Sequence, residues 1–414
     1  MKIFKNIALI CIALLLWTAF IGYGFTNGFL LKPITSKKTS EAFIEATNEK
    51  ISNEFVGNLA MVLIEDGKVS KDFYYSIDQP VTENTLFPVA SISKWVTSFG
   101  VLKLVEQGKI DLDKPVDEYL SRWHLPKSEY DNTKVTVRKL LSHSSGLVDD
   151  LGYGGFDIDQ KVQTLEESLT KASDAPYSEG IAKVGYEPGT KYMYSGAAYT
   201  LLQLLIEEVS GTPFKEYMAK EVFEPLQMEQ STFALDEKPD LERAHIYKDD
   251  GATRTPRKFT ALAAASLFTS TSDLSKFLIA SVTSNNVLSA DMIKKMSVSE
   301  TFINNIGVYG LGPHLYSQND SNSKIIGHDG SGNNALNTAA RIDLVSKDGI
   351  IVLETGNHSM ASSIADEWIF WKAGIADYVV MQRNKTYILT LLIIGFVIIV
   401  SFSVFIIRKK KLIS

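Results

Sequence analysis

A short apolar stretch contains a serine and a lysine at a spacing that could support nucleophilic catalysis. The stretch FPVASISKWVTSF, residues 87–99, places Lys94 three residues after Ser91. The apolar positions that follow predict a helix that begins near Ser91 and ends at about Gln107, with both side chains on one face. Unpaired amides and the dipole at a helix start favour negative charge, and a lysine partly removed from water could accept the hydroxyl proton. Ser93 lies on a different face and is the poorer candidate.

This spacing is common, so it does not establish a catalytic pair by itself. The same four-residue pattern occurs at Ser168–Lys171 and at Ser321–Lys324, and neither copy has a comparable setting. The alternative for residues 91–94 is that helical periodicity simply exposes these polar side chains.

A second candidate stretch contains a tyrosine immediately before a predicted helix. In EPGTKYMYSGAAYTLLQLLIEEVSG, residues 187–211, a Pro188-Gly189 turn leads to Tyr194, and a helix follows from about Ala197. A phenol beside a cationic lysine can serve as a general base, because the positive charge stabilises phenolate. The alternative is an aromatic side chain that only packs.

A third candidate stretch joins a predicted strand to a glycine. In IIGHDGSGNNALNTAARID, residues 325–343, the apolar start leads to His328, Gly330 and Ser331. Glycine beside a strand can let a substrate approach the backbone closely. The backbone N–H groups of Ser331 and Ser91 could then form an oxyanion hole. The alternative is a glycine-rich turn with a solvated histidine.

Together, the three stretches resemble the serine β-lactamase and penicillin-binding-protein superfamily, in particular its class C branch with the related esterases and D-amino-acid peptidases. The resemblance covers roughly residues 40–372. Ser91 and Lys94 are similar to the nucleophile motif. The tyrosine motif and the third motif, where His often replaces Lys, have counterparts in Tyr194-Ser195-Gly196 and His328-Asp329-Gly330. Four further stretches look like the family: VTVRKLLSHSSGL (135–147), EPLQM (224–228), SLFTSTSDLSKF (266–277) and YGLG (309–312).

The resemblance implies a serine hydrolase that acts through an acyl-enzyme on an ester, an amide or a D-amino-acid peptide. It implies no cofactor and no metal, and its substrate would be a small molecule or a peptide such as one derived from the cell wall. The implied residues are Ser91, Lys94 and Tyr194 for catalysis, the N–H groups of Ser91 and Ser331 for the oxyanion hole, and His328, Gly330 and Gly196 for the substrate cleft.

Gly196 departs from the family pattern, which usually has Asn two residues after the tyrosine. That amide helps to orient the lysine and the amide group of the substrate, and glycine does neither. The departure argues against strong β-lactamase activity. It keeps open a second function, a catalytically weak domain of the same fold that binds a cell-wall peptide or a partner.

The remaining histidines receive structural interpretations. His143 lies in a family stretch that supports the fold, so we interpret it as structural. His124, His245, His314 and His358 show no spacing typical of a metal site.

Composition excludes several classes of protein. The 414 residues carry a net charge of −6, which argues against nucleic acid as a main partner. Cys11 is the single cysteine, so the chain forms no internal disulfide. The oligomeric state does not follow from the sequence.

Two apolar segments predict attachment to a bacterial cell membrane. Residues 7–23 follow Lys2 and Lys5, and residues 387–407 have the length of a bilayer span and end in the basic run Arg408–Lys411. We expect 1–31 to be a signal peptide or signal anchor, 40–380 an extracytoplasmic hydrolase domain, 387–407 a transmembrane helix and 408–414 a cytoplasmic basic tail.

The order of predicted elements favours an α+β fold. Strand patterns lie at both ends of the domain, with one or two more strands in 308–327 and mainly helical patterns between. Residues 59–77 predict a hairpin with its turn at Asp66-Gly67, and residues 337–345 and 349–355 predict strands that flank a turn at Asp348-Gly349. This order excludes a doubly wound parallel sheet. We therefore expect one antiparallel sheet flanked by helices, a mainly helical lobe, and a site between them.

Overall fold

The computed structural model of the chain describes residues 2–51, 55–148, 153–176, 178–316, 324–332 and 335–413. The chain divides into two compact units. The central unit is Ile51–Ala365, and the terminal unit combines Met1–Lys50 with Asp366–Ser414.

The central unit is built on an eight-stranded antiparallel sheet in the order β2-β1-β12-β11-β10-β9-β8-β7. The first and last hairpins of the domain therefore meet through β1 and β12, as the sequence predicts. The predicted α+β fold with an antiparallel sheet is confirmed. The strands are β1 Asn58–Glu65, β2 Lys68–Ser76, β3 Phe87–Pro88, β4 Ile246–Tyr247, β5 Thr253–Arg254, β6 Phe268–Thr269, β7 Thr301–Ile303, β8 Ile306–Tyr309, β9 His314–Leu315, β10 Ile325–Gly332, β11 Leu336–Asp343 and β12 Gly349–Thr355.

The two predicted hairpin turns of the sheet have different outcomes: the first lies where the sequence predicts it, and the second does not. Asp66 and Gly67 both have positive φ (46° and 70°), which is the backbone that an Asp-Gly hairpin turn requires. The expected turn at Asp348-Gly349 lies earlier, because β12 already begins at Gly349 and the left-handed residue is Lys347 (φ 59°).

The strand-rich region before β11 is larger than expected. The sequence predicts one or two strands within 308–327, and the structure has β7, β8, β9 and the start of β10 there and just before. The difference arises at Asn304 and Asn305, which both adopt left-handed φ (49° and 65°) and close a tight β7–β8 hairpin. Asparagine accepts this conformation more readily than most residues.

Two long buried helices pass through the core of the central unit. Helices α3 and α6 contain 15 residues each, pack against each other, and both pack against the short helix α8. The helices of the chain are α1 Lys2–Thr26, α2 Ser40–Ile51, α3 Ile92–Glu106, α4 Val137–Leu141, α5 Leu165–Lys171, α6 Gly196–Ser210, α7 Phe214–Met218, α8 Leu262–Ala265, α9 Thr271–Ala280, α10 Ala290–Met296, α11 Met360–Ala373 and α12 Tyr378–Ile413.

The terminal unit contains the two apolar segments. Both are helical, and the stretches Phe4–Thr26 and Tyr378–Lys409 are long and apolar enough to cross a bilayer by length and composition. The indole N–H of Trp17 in α1 donates to the Leu392 carbonyl in α12, at 3.3 Å. A helix satisfies its backbone hydrogen bonds internally, which is a condition for crossing a bilayer.

Candidate active site

Ser91 lies directly before α3, and the residue that precedes it has an unusual backbone conformation. Ala90, the residue before it, has a left-handed φ of 44°, which costs a non-glycine residue roughly 1 kcal/mol. Ser91 itself is already helical (φ −69°, ψ −8°), and its hydroxyl caps none of the helix amides that the structure describes. The side chain is half-buried. Its hydroxyl is therefore held at the start of a buried helix without being used as a cap.

Lys94 lies one turn later on the same helix face, as the sequence predicts. Its side chain is 3% exposed, and Nζ lies 3.0 Å from the Ser91 Oγ. Nζ also donates to the Ala264 carbonyl at the end of α8, at 2.8 Å. Two acceptors thus fix the direction of the lysine toward the serine hydroxyl.

The hydroxyl of Ser93, the alternative serine, is hydrogen-bonded to the backbone of the chain. It is fully buried, its Oγ donates to the Ala90 carbonyl at 2.5 Å, and the Leu267 amide donates to it at 3.0 Å. Both contacts tie the start of α3 to the strand β6 region. Ser93 therefore holds the backbone turn that presents Ser91.

Tyr194 approaches Lys94 from the start of α6. The Lys94 Nζ lies 4.9 Å from the centroid of the Tyr194 ring. The backbone on both sides of the tyrosine is bound to one residue, because the Met193 N–H donates to the His143 carbonyl at 2.8 Å and the Ser195 N–H donates to the His143 Nδ1 at 3.0 Å. His143 thus holds the tyrosine segment at two points.

The environment of His143 fixes its protonation. The imidazole is fully buried and lies 4.3 Å, centroid to centroid, from the Tyr194 ring. Burial, followed by the positive charge of Lys94, lowers the pKa of His143 well below its ordinary value. Since an amide can only donate, Nδ1 accepts from Ser195 and the neutral ring carries its proton on Nε2. The structural interpretation made from the sequence misses this specific contact with the tyrosine segment.

Gly330 in β10 makes a close approach, and the neighbour is the chain's own backbone. A Cβ at this position would lie 2.2 Å from the Val89 carbonyl oxygen and 2.2 Å from the Thr338 Oγ1. Thr338 donates to the same Val89 carbonyl at 3.1 Å. Glycine therefore lets β10 pack against the segment that leads into Ser91, and the close approach of a substrate to this position stays a prediction.

Ser331 follows at the end of β10 and is exposed. It lines the same cavity as Ala90, the residue before Ser91. The two segments expected to supply the oxyanion N–H groups are therefore adjacent.

His328 is more buried than a residue at a cleft edge. It is 1% exposed, its Nε2 lies 2.9 Å from the Tyr309 hydroxyl, and its Nδ1 lies 2.6 Å from the Asp329 carbonyl. Burial, then His314 and Lys94, lower its pKa well below the ordinary value. His328 is therefore neutral near pH 7, and its place in the substrate cleft stays a prediction.

The structure adds residues that the sequence did not connect with the site. The ring of His314 lies 4.6 Å from Tyr309 and 4.8 Å from His328, centroid to centroid. Burial lowers the pKa of His314 to about 4. The YGLG stretch that contains Tyr309 was the available signal, and Gly312 (φ 124°) in it permits close packing on Ser98 of α3.

Gly196 is the first residue of α6 and is buried. It provides no amide group to orient the lysine, and the Ala264 carbonyl is one acceptor that holds Lys94 instead. The departure from the family motif therefore does not leave the lysine without direction.

Five of the predicted site residues fall into three groups. Ser91 and Tyr194 lie beside the Lys94 nitrogen, and Ser331 lies beside the segment that precedes Ser91. His328 lies in the buried aromatic cluster behind them. Of the other copies of the spacing, Ser168 lies in α5, and Ser321 lies outside the described residues.

Comparisons with known proteins identify relatives of this chain and its fold. Two curated relatives are a penicillin-binding protein of Bacillus subtilis (strain 168), 34% identical over 37% of this chain and 32% of that protein, and Esterase EstB of Burkholderia gladioli, 31% identical over 37% of this chain and 40% of the esterase. The structure of the octameric penicillin-binding protein homologue from Pyrococcus abyssi is 29% identical, with a TM-score of 0.66 over 81% of this chain and 77% of that one. The chain spans about a third to about half the length of the first curated relatives.

The family model named Beta-lactamase matches residues 50–372, which is most of the chain and includes every predicted site residue. This match and the relatives support a serine hydrolase in general. The resemblance inferred from the three motifs is confirmed: the chain belongs to the Beta-lactamase family.

Proposed function

We propose that this protein is a membrane-anchored, extracytoplasmic serine hydrolase that transfers the acyl group of an ester, an amide or a D-amino-acid peptide to Ser91 and then to water. The observation that carries the proposal is the 3.0 Å separation between the Ser91 Oγ and the buried Lys94 Nζ at the start of α3. A hydroxyl and a base at hydrogen-bond distance, with the base oriented by a third group, are the requirement for an activated nucleophile.

In the first step, the Ser91 oxygen forms a bond to the substrate carbonyl carbon. The hydroxyl proton passes to the Lys94 amine or the Tyr194 phenolate, and the carbonyl electron pair moves to the oxygen. The N–H groups of Ser91 and Ser331 stabilise this oxyanion. In other enzymes, removal of one such donor lowers the rate by about a hundredfold to a thousandfold. The bond to the leaving group then breaks, and the leaving group takes the proton.

In the second step, water attacks the acyl carbon. The same pair, Lys94 and Tyr194, accepts a proton from the water, and Ser91 regains a proton as its bond to the acyl carbon breaks. The products are a carboxylic acid and the free hydroxyl. No cofactor or metal takes part, and Gly330, Gly196 and His328 shape the cleft rather than transfer protons.

The proposed topology follows from the apolar helices. Residues 1–31 form a signal peptide or anchor, 387–407 span the membrane, and the basic residues of 408–414 remain in the cytoplasm. The hydrolase domain, residues 40–380, then faces outward, where a small molecule or a cell-wall peptide is accessible. Two helices of suitable length support this arrangement.

Active-site labelling tests the proposal. The full-length protein in detergent micelles is treated with a fluorescent fluorophosphonate or a fluorescent penicillin, beside Ser91→Ala and a Ser168→Ala control, which removes the serine of the other described copy of the spacing, in α5. We expect wild type and Ser168→Ala to be labelled and Ser91→Ala not to be. Labelling of Ser91→Ala at the wild-type level, or no labelling of wild type by either probe, contradicts acyl-enzyme formation at Ser91.

Gly196 favours a second candidate function, a catalytically weak domain that binds a cell-wall peptide or a partner. In that case Ser91→Ala retains the cellular phenotype that deletion of the protein abolishes. The same variant distinguishes the two functions, because a hydrolase loses its phenotype with the nucleophile.

A further inference from the structure

A cavity beside Ser91 carries positive charge, although the whole chain is acidic. Its lining includes Ala90 before Ser91 and Ser331 at the end of β10, and it has a volume of about 630 Å³ with its open mouth included. Two arginines, Arg254 and Arg257, contribute to the wall, and no carboxylate is among the lining residues that the structure describes. We call it the arginine cavity. Asp157 pairs with Arg257, so the two guanidinium groups and this carboxylate leave one net positive charge beside the nucleophile among the residues that the structure describes.

The position of the arginine cavity indicates which part of a substrate enters it. The leaving group must receive a proton, so it lies on the side of Lys94 and Tyr194. Neither residue is among the described residues that line the arginine cavity. The acyl part of the substrate extends from the same carbonyl carbon in the other direction. The cavity that contacts Ala90 and Ser331 is consequently in position to receive the acyl part.

Both arginines interact with other groups of the protein, and they differ in position. Arg257 is held by the protein, since its Nη1 donates to the Gly155 carbonyl at 2.9 Å and its Nη2 lies 3.1 Å from the Asp157 Oδ1. Arg254 lies at the end of β5 and is half-buried. Partial burial and the like charge of Arg257 lower the pKa of Arg254, and Asp157 only partly opposes them. An anion in the cavity would relieve this unfavourable electrostatic environment.

We propose that the arginine cavity receives the acyl part of the substrate and that Arg254 binds a carboxylate on it. The substrate class is then an ester or amide whose acyl group is negatively charged, such as an acidic side chain or a dicarboxylic acyl chain. The planar guanidinium suits this task, because it binds both oxygens of a carboxylate. The rest of the wall, which includes Tyr153, Phe259 and Phe268, packs against the apolar part of the acyl chain. This inference rests on the proposed hydrolase function.

The test compares two esters of matched shape with the full-length protein in detergent micelles. One is the mono-p-nitrophenyl ester of glutaric acid, and the other is p-nitrophenyl isoheptanoate, in which two methyl groups replace the carboxylate oxygens. We expect wild type to prefer the anionic ester by about tenfold in kcat/KM, a size that one charge-assisted contact supplies. Arg254→Met should abolish this preference with the neutral ester unchanged, and Arg254→Lys should retain part of it. Lys127→Met, which removes an exposed charge outside the cavity, should behave as wild type.

Each result bears on a specific claim. An unchanged preference in a folded Arg254→Met overturns the inference and leaves the hydrolase function standing. Failure of wild type to hydrolyse either ester overturns both. If Arg254→Met does not fold, a second experiment replaces the variant: the hydrolysis of both esters by wild type is measured with increasing salt. Salt should reduce kcat/KM for the anionic ester by severalfold and leave the neutral ester unaffected, and an equal response of the two esters overturns the inference.

Discussion

Helices α3 and α6 provide an internal comparison, because each contains 15 residues, is largely buried, and follows a serine at the N-cap position. Ser195 has the extended backbone of an ordinary cap (φ −134°, ψ 119°), and its hydroxyl accepts the Ala198 N–H at 2.9 Å. Ser91 has a helical backbone and makes no such bond among the described residues. Its hydroxyl is instead the partner of Lys94.

The difference shows how the same residue type at the same helix position acquires two roles. A side chain can cap only when its backbone is non-helical, because only then does the hydroxyl turn back toward the helix amides. The left-handed Ala90 places Ser91 in a helical conformation and so prevents capping. Ser195 stabilises its helix, and Ser91 keeps its hydroxyl for chemistry.

The largest expected effect is the loss of the lysine that distinguishes the two helix starts. Lys94→Met keeps the length of the side chain and removes the nitrogen next to Ser91 Oγ. We expect kcat/KM for a p-nitrophenyl ester to fall by about a thousandfold, the size typical of general acid–base catalysis. Lys103→Met, in the last turn of the same helix, is the matched control and should retain wild-type activity. A Lys94→Met activity within about tenfold of wild type would contradict the role of Lys94 as base.

An intermediate effect is expected at His143, which joins the two helix starts by holding the segment of Tyr194. His143→Leu removes the acceptor for the Ser195 N–H and should lower kcat by roughly tenfold to a hundredfold, with little change in KM, because the phenol loses its position. His143→Asn supplies a side-chain oxygen near Nδ1 and tolerates the left-handed φ of 55° at this site. We expect it to recover most of the activity.

The comparison of the two His143 variants separates positioning from stability. Thermal unfolding is measured beside the kinetics for both. If Leu and Asn lower kcat equally at equal stability, the hydrogen bond to Ser195 does not position Tyr194.

The smallest expected effect concerns stability alone. Ser195→Ala should lower the free energy of unfolding by about 1 kcal/mol, because the α6 amide loses its cap. In a Lys94→Met background, where the hydrogen bond between Lys94 and Ser91 is already absent, Ser91→Ala should change it by less than about 0.5 kcal/mol, because no cap is lost. Denaturant titration followed by tryptophan fluorescence measures both. Equal losses in the two variants would show that the hydroxyls do not differ in their contribution to the helices.

The sequence predicts the parts of the site that are local. The spacing of Ser91 and Lys94, the helix after each serine, and the hairpin at Asp66-Gly67 all depend on residues within a few positions of each other. Periodicity and turn chemistry report such features directly. The order of strands and helices also sufficed for the fold class.

Contacts between distant segments could not be predicted. The Ala264 carbonyl that orients Lys94 is 170 residues away in the chain, and the His143 Nδ1 that binds Ser195 is 52 residues away. Neither contact leaves a pattern in the sequence, because every residue type supplies a backbone carbonyl and histidine occurs in many structural and functional roles. The sequence drew attention to Gly330, but only the folded chain brings Val89 against it.

The left-handed Ala90 has a consequence for directed evolution. Glycine adopts positive φ without the steric cost that alanine bears, so Ala90→Gly should be neutral or stabilising by up to about 1 kcal/mol. It would also loosen the turn that keeps Ser91 from capping α3. In a mutant library, screening for heat resistance should therefore enrich glycine at position 90, and screening for turnover should deplete it. Sequencing both pools would show whether thermal robustness and catalytic competence conflict at this residue.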